Sequence, residues 1–264
     1  MWTKVVTKIK INNKPYFYYV LKEEQRTKEW HKAKIGRVTA SNVTAARGQS
    51  QFKTQTVLAD ELCNITKPVH SDEALKRMKY GVDNESTSIK YLEKLTGYKI
   101  TDCGLCINAE QNLLGFSPDG LIDYEHNPNI IDYDILGEGM IEAKNPQKMY
   151  IKLTQHAGML NAGFIPDKFY HQHIFDAHYD QIQLSLYISK RLWCIYFVYI
   201  SEEEYYKETV YFNELYTEKT LLPQVNSFIA NYLLPRLKKF HLKIETPTEF
   251  DIDDLLEQYS NFKI

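Results

Sequence analysis

The chain has 264 residues, 44% apolar and 25% charged, which is long enough for a sizeable core and ordinary for a globular protein. Its 32 lysines and arginines nearly balance 34 aspartates and glutamates, so a globally basic nucleic-acid binder is excluded and any basic surface has to be local. No stretch approaches the ~20 apolar residues of a membrane span, and Met1-Trp2-Thr3-Lys4 lacks a signal-peptide pattern, so an intracellular protein is expected.

Residues 2–11 and 15–22 are rich in Val, Ile, Tyr and Phe around Asn12-Asn13-Lys14, which predicts a β-hairpin. From Thr27 the pattern becomes a short helix, a turn at Gly36 and a second helix capped near Thr39 or Ser41. A helix N-terminus beside Lys34 and Arg37 suits a phosphate, although Ser41 taken alone is better explained as a cap. Gln51–Asn64 reads as a helix burying Phe52, Val57, Leu58 and Leu62.

A long helix over Asp72–Thr96 carries the stripe Leu75, Met78, Val82, Ile89, Leu92 and Leu95, and Gly97 ends it. The position that this stripe requires between Val82 and Ile89 is Glu85. A carboxylate on a buried face is costly unless protonated, paired or bound to metal. Glu85 is therefore either a functional acid or half of an ion pair, unless the helix rolls at Gly81 and exposes it.

Strands are predicted over Ile100–Ala109 and Leu113–Tyr124, with Cys103 and Cys106 at the spacing of half a zinc site. Neither a second pair nor a His partner accompanies them, and with Cys63 and Cys194 the four cysteines are too sparse for a disulfide framework. The second strand contains Ser117-Pro118-Asp119-Gly120, a turn that fixes one carboxylate at a corner, where Ser117 could face a phosphate or simply hold the turn. A polar loop over Asp123–Glu138 leads to a short strand, Ile141–Lys144, stopped by Asn145-Pro146.

On that strand Glu142 and Lys144 share a face and Ala143 points away. Two acids and an ammonium can then converge, which suits phosphodiester hydrolysis. Carboxylate oxygens hold Mg²⁺, or Mn²⁺ in its place, while a lysine orients or deprotonates an attacking water or stabilises charge at phosphorus.

Residues 149–177 read as an insertion that is mobile or faces DNA. A helix over Tyr179–Lys190 follows, with Gln183 near its core side, and then a fully covered strand over Trp193–Ile200. Glu202–Tyr206, Leu221–Leu234 and Asp251–Tyr259 are predicted helices, with Pro235 breaking the second. No repeat or linker divides residues 1–264, so a single domain is expected.

From about Glu29 to Ile200 the chain resembles the lambda-exonuclease, or YqaJ-type viral recombinase, branch of the PD-(D/E)xK nucleases. The matching residues are Trp30-His31-Lys32 with Gly36 and Thr39-Ala40-Ser41, Tyr80-Gly81 with Glu85, Ser117-Pro118-Asp119-Gly120-Leu121, Glu142-Ala143-Lys144 and Gln181-Ile182-Gln183-Leu184-Ser185. The hairpin over 1–25 and the helices over 201–264 are additions to it. The resemblance implies an α/β, restriction-endonuclease-like core with a central mixed sheet flanked by helices. It implies Mg²⁺-dependent degradation of double-stranded DNA ends from 5′ to 3′ in recombination or viral DNA processing.

Asp119, Glu142 and the Ala143 carbonyl would be metal ligands and Lys144 the catalytic lysine. Glu85 and Gln183 would support the site, and Ser41 and Ser117 would lie near the terminal phosphate. Lys34 stands where the family has a phosphate-binding arginine, and cannot make the bidentate contact. A single-strand annealing partner and a ring-shaped homotrimer are further implications. A structure-selective endonuclease on the same core, and a DNA-end-binding protein without turnover, are the alternatives.

Overall fold

The computed structural model describes residues 1–11, 14–128, 137–148, 174, 176–247 and 252–262. The two N-terminal apolar runs pair antiparallel as β1 (Trp2–Ile11) and β2 (Lys14–Leu21), from Trp2 opposite Leu21 to Ile11 opposite Lys14. β2 continues the sheet through antiparallel β4 (Cys106–Asn108) and β5 (Leu114–Phe116), and β5 takes β3 (Val38–Thr39) in parallel.

A second sheet has the order β6 (Gly120–Ile122), β7 (Gly139–Lys144), β8 (Trp193–Tyr199), β9 (Tyr205–Tyr211), with only the central pair parallel. The fold is thus α/β with mixed sheets and flanking helices. Two sheets replace the single central one expected, because the Leu113–Tyr124 strand divides at Pro118. Proline has no N–H for the ladder, and the chain leaves the first sheet after Phe116 to enter the second at Gly120.

Helix α1 (Lys28–Ala33) is capped by the Thr27 hydroxyl and buries Trp30 and Ala33. The second predicted helix is a 3₁₀ turn, Ala40–Asn42, leading into the single turn α2 (Val43–Ala46), and neither Thr39 nor Asn42 makes a side-chain cap. Helix α3 (Gln55–Leu62) buries Leu58 and Ala59 but leaves Phe52 and Val57 exposed, a correction to the predicted burial.

Helix α4 (Asp72–Thr96) is capped by Ser71, carries Asp72 and Glu73 in its first turn and ends at left-handed Gly97. The expected stripe is buried only in part. Leu92 is enclosed and Ile89 packs against the apolar cluster that includes Ile141, Ala143, Ile195 and Phe197, whereas Leu75, Met78, Val82 and Leu95 are exposed. Only the C-terminal half of α4 lies on the second sheet, and its first half runs beside the cleft described below.

Helix α5 (Asp176–Ser189) precedes β8, whose seven residues are all buried. The expected helix at Glu202–Tyr206 is instead a turn, in which Ser201 Oγ accepts from the Glu203 and Glu204 amides, followed by β9 paired along its whole length with β8. The segment 214–239 is helical without a break. Pro235 follows a wide π turn, Ile229–Leu233, just as Pro223 follows Thr217–Leu221. Widening the turn relieves the clash of a proline ring with the carbonyl four residues back, so the expected break does not occur. The last α-helix among the described residues is Ile252–Gln258, followed by a 3₁₀ turn at Ser260–Phe262. Of the 149–177 insertion, 149–173 and Phe175 lie outside the described residues. No described helix is long and apolar enough to cross a membrane.

Candidate active site

The crossing between the two sheets builds a cleft of about 490 Å³. At its floor the Asp119 amide donates to the Ile141 carbonyl at 3.2 Å, and the Ala143 amide donates to Asp119 Oδ2 at 2.7 Å. Backbone pairing therefore sets Asp119 against β7. The alternation of β7 turns Ile141 and Ala143 to the apolar cluster beneath α4 and puts Glu142 and Lys144 on the other face, in the cleft.

Glu142 is 2% exposed, and its Oε1 accepts from Lys144 Nζ and, at 2.7 Å, from Gln181 Nε2. Burial, and next the negative charge of Glu142, raises the Asp119 pKa well above the ordinary carboxylate value, with Lys144 acting in the opposite direction. Burial, assisted by Lys144, pushes His178 down to about 3, so that it stands as a neutral ring bonded to the Tyr196 hydroxyl at 2.8 Å.

Glu85 lines the same cleft but is not enclosed in a core. Its carboxylate is about a quarter exposed and ion-paired with Arg26. An ion pair is thus formed, but with a half-exposed arginine and not with a core cation, and the Glu85 charge still acts on Asp119 across the cleft. Arg26 escaped sequence reading because it belongs to no periodic element. It has a left-handed φ of 69° in the turn after the hairpin, and the preceding Gln25 anchors that turn by donating to the carbonyls of Cys103 (2.9 Å) and Pro118 (2.8 Å).

At the other end of the cleft the Trp30 indole donates to Ser117 Oγ at 3.0 Å, leaving the Ser117 proton available to an anion. Lys34 Nζ lies 4.0 Å over the Trp30 ring, and burial lowers its pKa to about 8. Ser41 also lines the cleft and lies 3.2 Å from the Thr39 hydroxyl, but it caps no helix.

Two expected site residues lie elsewhere. Arg37 is fully buried and donates to the carbonyls of Asn112 (2.8 Å), Glu245 (2.6 Å) and Ala33. Burial lowers its pKa to about 9. It ties loops together and cannot reach a phosphate.

Gln183 donates to the Tyr211 carbonyl at 2.9 Å and accepts from the Asn213 amide at 2.7 Å, which pins the exit of β9. Two residues on a helix are about 200° apart, so when Gln183 faces β9 it is Gln181 that faces the cleft. The signal is present in that spacing, because a helix that turns Gln183 to its core side turns Gln181 away from it.

Cys103 and Cys106 are free thiols with Sγ atoms 3.3 Å apart. Among the described residues no three His, Cys, Asp or Glu side chains converge closely enough to chelate an ion by themselves. Asp119 and Glu142 remain as a pair of buried oxygen donors whose mutual repulsion a hard divalent cation relieves, its other positions being left to carbonyl, water and substrate oxygens.

The family model described as YqaJ-like viral recombinase domain matches residues 29–191. A search of curated proteins found no match. Among solved structures, the alkaline exonuclease LHK-Exo of Laribacter hongkongensis is similar at 20% identity and a TM-score of 0.55, over 89% of this chain and 99% of that one. Its complex with dAMP is similar at 19% identity and a TM-score of 0.53 over the same shares. This likeness establishes a common fold with these exonuclease structures.

Proposed function

Because the chain belongs to the YqaJ-like viral recombinase domain family and its cleft pairs a buried Asp119 and Glu142 beside Lys144, we propose that it is a Mg²⁺-dependent DNA exonuclease. It would degrade double-stranded ends from 5′ to 3′ in recombination or viral DNA processing, together with a single-strand annealing protein. The observation that carries the reading is the Asp119 carboxylate fixed on the Ala143 amide next to the glutamate bound by Lys144.

Asp119, Glu142 and the Ala143 carbonyl would hold Mg²⁺ or Mn²⁺. The cation supplies charge neutralisation at the phosphate and a water of lowered pKa. Lys144 Nζ, bonded to Glu142, would orient an attacking water or take its proton, and Gln181 keeps the Glu142 carboxylate turned towards the cleft. Lys34 and the Ser117 hydroxyl receive the terminal phosphate, Lys34 as a point charge without the fork of an arginine. The Arg26–Glu85 pair supports the reading less directly, by closing the cleft wall between hairpin and α4.

The test compares end-labelled linear duplex with a covalently closed circle, in Mg²⁺ and in EDTA. Loss of the linear DNA alone, from its 5′ ends and only with Mg²⁺, is the expected result. Cutting of the circle would make the protein an endonuclease, and end binding without degradation would make it a binding module.

The two glutamines of α5 separate site from scaffold. Gln181→Ala is expected to lower turnover by about 10-fold or more with little change in melting temperature. Gln183→Ala leaves the Asn213 amide unsatisfied and is expected to destabilise the protein by about 1–3 kcal/mol while the surviving folded fraction keeps its turnover. Thermal melts and single-turnover rates on both variants check this, and equal kinetic losses would refute the assignment.

A further inference from the structure

Beside the cleft lies a second cavity of about 580 Å³, within the roughly 300–1,000 Å³ of ligand sites, which the reaction described above does not use. The two cavities share one residue, Lys34. Sequence neighbours divide across it, with Trp30 and Ser41 on the cleft side and His31 and Asn42 on the far side. The far cavity has Ile35, Leu58 and Leu62 as its apolar surface, and His31, Pro68 and His70 supply flat faces. The Asn42 and Asn64 amides offer both donors and acceptors.

Its charge is largely spent. Lys53 is paired with Glu61 within the cavity and Lys32 with Glu245 at 3.0 Å. Lys34 is stacked on Trp30, and among the described residues no carboxylate pairs with it. A weakly charged chamber with flat faces and amides, bordered by the ammonium that also borders the cleft, suits a single nucleoside whose phosphate rests on that ammonium. A track for duplex backbone would need a row of cations instead.

We propose that this cavity holds an unpaired nucleotide of the cut strand, the one beyond Lys34 from the acids, so that a strand end with a single-stranded 5′ extension passes Lys34 and is still engaged. The inference rests on the exonuclease reading of the cleft and adds a second nucleotide subsite to it.

The test is fluorescence anisotropy in EDTA with a blunt duplex, the same duplex with a two-nucleotide 5′ extension, and one with a 3′ extension. Wild type is expected to bind the 5′-extended end about 10-fold more tightly than the blunt end. His70 is exposed, so His70→Glu and His70→Ala should both fold and should bind the blunt end within about twofold of wild type. His70→Glu is expected to abolish the advantage and His70→Ala to reduce it.

Equal wild-type binding of blunt and 5′-extended ends, or an advantage that survives His70→Glu, would overturn this subsite and leave the exonuclease reading intact. An advantage confined to the 3′ extension would support the subsite and overturn the 5′ polarity. No binding to any of the three DNAs would overturn both.

Discussion

Lys144→Ala is expected to lower turnover on linear duplex by about 10³-fold, with end binding in EDTA within about threefold of wild type. The side chain is a quarter exposed in the cleft, and its Nζ bonds Glu142 Oε1. Alanine therefore removes the ammonium bonded to Glu142, the group that the proposed function charges with carrying a proton or a positive charge to the attacking water.

It also leaves Glu142 with Gln181 as its remaining donor at Oε1. An unpaired buried carboxylate destabilises a fold, though partial exposure of the lysine reduces that cost. A melting curve decides whether lost rate is lost fold. Lys144→Arg keeps the charge but not the geometry or the ready proton, and is expected to retain stability while recovering little turnover. Recovery to near wild-type rates in the arginine variant would show that charge alone suffices, and would refute a role in handling the proton.

The legible part of this site was the part written into local backbone geometry. Pro118-Asp119-Gly120 announces a corner, and alternation on β7 puts Glu142 and Lys144 on one face whatever the rest of the chain does. Long-range placement was less legible. Arg37 and Lys34 lie in one cationic stretch, yet three carbonyls from Ala33, Asn112 and Glu245 claim Arg37, one of them 208 residues away, and no local pattern reveals that.

The stripe on α4 was a true period that implied the wrong burial. Periodicity fixes which residues share a helix face, but how far the neighbouring sheet extends beneath that face is a tertiary matter. Here the sheet covers Ile89 and Leu92 and leaves Met78 and Val82 at the cleft. That is also why Glu85 finds Arg26 instead of a core. In the same way, covering β8 with β9 required the Ser201–Glu204 turn, whose run of glutamates reads locally as helix.

The second large effect should be a gain in stability at the expense of activity. Burial and Glu142 hold the Asp119 pKa far above that of a carboxylate in the unfolded chain. As pH rises past the unfolded value of about 3.9, the unfolded state gives up the Asp119 proton and the folded state resists, so metal-free stability falls until the raised folded value is reached. Asp119→Asn removes this decline, and its amide oxygen can still accept from the Ala143 amide. The metal-free variant is therefore expected to melt several degrees above wild type at pH 8, with each kcal/mol worth about 2–4 °C in a protein of this size, and to converge with it towards pH 4.

Mg²⁺ reverses the order. On the proposed function Mg²⁺ would bind the ionised pair and compete with the proton, so millimolar Mg²⁺ should raise the melting temperature of wild type at pH 8 and leave the variant unmoved, while turnover of the variant falls by about 10³-fold or more. If Asp119→Asn melts below wild type without metal, the aspartate is a structural turn residue. If Mg²⁺ stabilises both proteins equally, the cation binds elsewhere. The predicted crossing is specific to a buried acid held against its own ionisation until a cation arrives.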